Sequence, residues 1–93
     1  MSKLSEYQLI SGHFEKEEAK NLLTDLFASK IKYHSVSAWR YEEKNGGKSE
    51  YHENKIHELR KERDRLLQEL ELIELNQILQ IESKVMCYWL NTN

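Results

Sequence analysis

The chain has 93 residues, with 14 basic against 16 acidic side chains and 39% apolar residues. Surface scaling for 11.2 kDa gives about 5,700 Å² exposed of about 16,200 Å² in the extended chain, enough for one thin core but little room for an enclosed active site. A net charge of −2 disfavours nucleic acid and anionic lipid as general partners, a single cysteine excludes an internal disulfide framework, and the absence of an apolar run near 20 residues excludes a membrane span, so a soluble cytoplasmic protein is expected.

In chain order, the stretch 4–14 is strand-like, although its alternation is irregular. A helix is expected over 15–44. Ala19, Leu22, Leu23, Leu26, Phe27 and Ile31 have helical spacing, and Glu15, Glu17 and Glu18 place negative charge in the first turn, where the helix dipole favours it. Within it, 32–41 carries two patterns. Ile31, Tyr33, Trp39 and Tyr41 fall on odd positions, as on one strand face, whereas Ile31, His34, Ala38 and Tyr41 fit a helical stripe. A strand here would need a partner just beyond the glycines, and Lys48–Lys55 is too polar to supply one. A helix running to Lys44 would instead close on Asn45-Gly46, a sequence suited to a left-handed cap.

Asn45-Gly46-Gly47 is the strong breaker in a chain without proline, and it opens a turn over 45–49. A second helix is expected over 50–75, with Ile56, Leu59, Leu66, Leu70 and Ile73 along one seam, Arg63 interrupting it and Leu67 widening it. About 30 and about 26 residues give rods of about 45 and about 39 Å, a matched helical hairpin. From 78 to 90, Leu79, Ile81, Val85, Cys87 and Trp89 alternate with polar neighbours, and Ser83 takes one place on the apolar side. The expected fold is a single α+β domain over 1–93 in β-α-α-β order. A long antiparallel helical hairpin packs on a two-stranded antiparallel sheet, completed by dimerisation.

The run Phe14-x-x-Glu17-Glu18-Ala19-Lys20-x-Leu22-Leu23-x-x-Leu26-Phe27-x-Ser29-Lys30-Ile31-x-Tyr33-His34 resembles a group of small uncharacterised bacterial proteins with the same element order and a polar turn midway. The likeness covers the first helix well and the rest in pattern, and it implies the fold but no activity, cofactor or catalytic residue. The aromatic end Met86-Cys87-Tyr88-Trp89-Leu90 departs from it.

A two-stranded ribbon has two open edges and is marginal in water. Helix two is also charged against its dipole. Lys55, Arg60, Lys61, Arg63 and Arg65 come early and Glu69, Glu71 and Glu74 late, an imbalance that an antiparallel second copy would relieve. Packing on helix one offers no obvious relief, because Glu15, Glu17 and Glu18 would lie near the late acids. A homodimer is therefore expected through the sheet edge, helix two or both, with Arg63, Leu66, Leu70, Ile81, Val85, Cys87 and Trp89 as its contacts.

No motif announces chemistry. His52 and His57 are five apart and about 140° around a helix, unsuited to chelation, and Cys87 lacks a recognisable base and is expected to be buried. No catalytic residue, metal or cofactor is expected. The principal expectation is a non-enzymatic association module that binds itself and another macromolecule, with Tyr33, His34, Trp39, Tyr41 and Tyr51 as the protein-facing surface. One alternative is a nucleic-acid accessory role for Lys55, Arg60, Lys61 and Arg65, diluted by Glu58, Glu62 and Asp64. Another is a small-ligand or catalytic subunit with His34 in an aromatic pocket.

Overall fold

The computed structural model describes residues 2–90. Its elements are β1 (Ser2–Glu15), α1 (Lys16–Asn45), α2 (Glu50–Glu71) and β2 (Ile78–Trp89). The two strands form an antiparallel ribbon packed against the helical hairpin.

The start of α1 is fixed locally. The Glu15 backbone N–H donates to the Glu18 carboxylate at 3.1 Å, and Glu17 and Glu18 sit in the first turn. The helix then runs without interruption through 32–41. The odd-position pattern there loses to the helical stripe because His34 and Ala38 bury themselves against α2. At its end Gly46 adopts φ 74° and donates its N–H to the Glu42 carbonyl at 2.9 Å, the left-handed closure that a Cβ would oppose. Asn45 Nδ2 adds a bond to the Tyr41 carbonyl at 3.0 Å.

Ser49 caps α2, its hydroxyl accepting the His52 N–H at 3.3 Å. The helix stops at Glu71 rather than near Leu75. Leu72 and Ile73 N–H groups turn back to Glu69 and Leu70, and Gln77 closes a further turn with Glu74. The chain must reverse there to enter β2, and Leu72 and Leu75, 84% and 76% exposed, give no packed face for further helix. At 1.5 Å per residue α1 is therefore about 45 Å long and α2 about 33 Å, a hairpin less evenly matched than the sequence suggests.

The register of the ribbon explains the irregular first strand. Phe14, Gly12 and Ile10 pair with Leu79, Ile81 and Ser83, whereas Tyr7 and Ser5 pair with Val85 and Cys87. Between Gln8 and Ile10, and again between Lys3 and Ser5, β1 carries one residue more than β2. Each bulge flips the parity of β1, so even positions face the helices near Phe14 and odd positions share that face farther along. Strand β2 is uninterrupted, and its alternation reads cleanly.

Burial is sparse. Ile10, Ala19, Ala38, Ile56 and Leu70 form the core, and no large side chain among the described residues is fully enclosed. The small Ala38 lies beside Ile56 of α2. Helix α1 touches both strands and α2, while among the described residues α2 makes no comparable backbone approach to the ribbon. The resulting body measures 51 × 33 × 15 Å with a radius of gyration of 17.0 Å, against about 12 Å for a compact domain of this length.

Two expectations need correction. The acids late in α2 do find partners in α1: Glu71 faces Lys16 at 3.9 Å and Lys20 at 3.8 Å. Lys16 lies among the acids that open α1 and Lys20 one turn further on, so the charge imbalance of α2 is partly answered within the chain. Leu70, expected at a dimer contact, is 3% exposed and is already covered by its own chain.

Candidate functional site

The most concentrated chemistry lies between the two helices near the hairpin turn. The α2 seam of Ile56, Leu59, Arg63, Leu66 and Leu70 extends back by one four-residue step to His52, and the α1 stripe through Ala38 carries His34 on its inner side. The antiparallel crossing brings the two Nδ1 atoms to 2.9 Å. A bond at that distance requires one ring to donate Nδ1–H while the other keeps an Nδ1 lone pair, so the neutral pair holds opposite tautomers. His34 is 7% exposed. Burial pushes its imidazole below the usual value of 6.5, and the charges of His52, Lys30 and Lys55 push the same way.

Tyrosines wall the pair. The Tyr33 ring stands edge-on to His34 at 5.0 Å, Tyr51 lies 6.2 Å from His34, and Tyr51 is edge-on to His52 at 5.0 Å. Lys30 lies 5.5 Å from the centre of Tyr33 and Lys55 lies 5.7 Å from that of Tyr51. The two tyrosines remain 60% and 62% exposed, so the buried His34 carries an open aromatic rim.

Trp39 and Tyr41 do not join this cluster. Six positions separate Tyr33 and Trp39, about 120° around the helix. Trp39 borders a separate open groove of about 290 Å³ with Ser35, Ala38, Glu53, Ile56 and Arg60. The expected aromatic surface is thus divided between two flanks of the hairpin. Sequence reasoning compared His52 with His57 and missed its partner across the turn, although continuing the α2 seam backward points to it.

The other expected residues are dispersed. Arg63 is half-buried and engages the adjacent Asp64 through Nε and Nη2 at 3.1 and 3.0 Å. Arg65 pairs with Glu62 at 2.7 Å and Lys55 with Glu58 at 3.6 Å, Arg60 borders the Trp39 groove and Lys61 is exposed. The basic half of α2 is therefore laced with its own acids. Leu66, Ile81 and Cys87 are half-buried; the thiol is less sheltered than expected, because Ser5 is its small cross-strand neighbour. Val85 and Trp89 are 39% and 63% exposed on the ribbon face that holds Ile81. An open apolar groove of about 290 Å³ runs between ribbon and helices, lined by Leu9, Leu23, Leu26, Phe27, Leu59 and Ser83.

Among the described residues, no three His, Cys, Asp or Glu side chains are placed to hold a metal ion. None of the described helices is long and apolar enough to cross a membrane. Comparison with family models, curated proteins and solved structures found no match. These comparisons therefore give the resemblance expected for the Phe14–His34 run no support.

Proposed function

We propose that this protein is a cytoplasmic, non-enzymatic association module that works as a homodimer and offers its aromatic hairpin to another protein. The observation that carries this reading is surface. One chain exposes 7,683 Å², about 2,000 Å² more than a folded monomer of its mass should leave in water. Burying that excess on each of two chains would remove about 4,000 Å² in total, within the range of obligate homodimers. Tyr7, Leu9, Met86 and Trp89 of the ribbon, and Leu90 just after it, are each more than half exposed, a large hydrophobic surface for a chain that works alone.

The exposed Tyr33 and Tyr51 on one flank, and Trp39 on the other, support an aromatic contact with a protein partner. The acids interleaved with Lys55, Arg60, Lys61 and Arg65 argue against a nucleic-acid role. Self-association makes unfolding depend on concentration. The thermal midpoint of the wild-type chain is expected to rise when protein is increased about a hundredfold. A midpoint independent of concentration would remove the proposal.

A further inference from the structure

The two edges of the ribbon are not equivalent. Strand β1 is broken twice, by the bulges at Leu4 and Leu9, and a bulge interrupts the regular row of N–H and C=O groups that another strand needs. Strand β2 offers twelve residues, Ile78–Trp89, without interruption. In this ribbon it has β1 on one side only. A regular, largely apolar edge is the surface to which a further strand adds.

We infer that β2 pairs antiparallel with β2 of a second copy about a twofold axis through Ser83, giving a continuous four-stranded sheet with both helical hairpins on one face. This rests on the self-association reading and specifies its surface and register. Charge selects the register. On the outer face of β2, Glu82 and Lys84 are neighbours two positions apart. With Ser83 opposite Ser83 of the second copy, each Glu82 lies across from a Lys84, twice in the dimer. Centring the axis on Glu82 or Lys84 would set like charges face to face, which destabilises a strand pair.

The same register aligns the helix-facing side. Ile81 comes opposite Val85 and Leu79 opposite Cys87, so apolar residues meet apolar residues across the new seam. The helix-facing row that begins with Phe14 and Leu79 and is half open at Val85 becomes a broader floor shared by two chains. Lys84, a residue that ordinarily guards an edge against pairing, here acquires a specific acidic partner.

Cross-linking at the axis and charge exchange test this pairing. In S83C/C87S the only thiols are the two at the axis, with Cβ atoms about 4.5–5.5 Å apart across the pair. Oxidation with copper phenanthroline is expected to convert this variant to a covalent dimer of about twice the 11.2 kDa chain mass. K84C/C87S is expected to stay uncoupled, because that thiol is displaced by two residues along the strand and lies about 8 Å from its counterpart. Independently, E82K should weaken the dimer about tenfold, and E82K/K84E should restore it.

A dimeric wild type whose S83C/C87S variant stays uncoupled on oxidation, with no rescue by the double charge exchange, would overturn this register while leaving self-association intact. A monomeric wild-type chain would remove both. Reduced S83C/C87S sedimenting as the wild type shows that the cysteine variant is folded.

Discussion

The buried ends of a few side chains decide how tightly the helices hold. His34 loses water on entering the seam, and His52, Lys30 and Lys55 add positive charge around it. Its folded-state value lies below 6.5, so between the two values the unfolded chain binds more protons than the folded one. The resulting stability is complete above about pH 6.5 and is lost as pH falls below it. Two protonated rings would also point Nδ1–H groups at each other across the 2.9 Å contact. Thermal midpoints between about pH 7.5 and pH 5.5 should fall more steeply for the wild type than for His34→Gln. Equal slopes for the two would deny the buried His34 its effect. Leu70, 3% exposed, gives the apolar counterpart. Leu70→Ala should lose about 2–5 kcal/mol in urea unfolding, while Leu72→Ala, at a position 84% exposed, should stay within about 0.5 kcal/mol of wild type.

At the scale of elements, what could be read from the sequence depended on whether local signals agreed. Strand β2 alternates without interruption, and α2 keeps its seam from Ile56 to Leu70 for about four turns with Arg63 as the one break, so both are plain in the residues. Strand β1 is harder to read because two bulges move its inward positions from even to odd, and no residue type marks Leu4 or Leu9 as an extra position. The early stop of α2 was equally hidden, since Leu72, Ile73 and Leu75 prolong an apolar pattern that the chain reversal abandons. The histidine pair depended on a seam extrapolated into the polar start of α2, and the exposed aromatics split because Tyr33 and Trp39 sit on different flanks. The turn was legible from its glycines, which differ physically. Gly46 has φ 74°, whereas Gly47 has an ordinary negative-side backbone and open space for a Cβ. Gly46→Ala should cost about 1–2 kcal/mol and lower the thermal midpoint by about 5 °C or more, and Gly47→Ala should leave it nearly unchanged. Similar losses from both would mean that the left-handed closure is not what holds the turn.

Taken whole, the molecule is a slab 15 Å thick, about the depth of one helix layer on one sheet layer. Its helices hold each other through a short core, and its ribbon holds to α1 over part of its length. The rest of the helix-facing side, from Tyr7 and Val85 to Trp89, is left to water. A second ribbon placed edge to edge would widen the floor under each hairpin without altering either chain, and so gives the uninterrupted β2 edge a partner. Sedimentation equilibrium of the wild-type chain at about micromolar concentration, where an obligate pair stays associated, measures this directly. A single species at twice 11.2 kDa is expected; a single species at 11.2 kDa, unchanged as concentration rises, would contradict it.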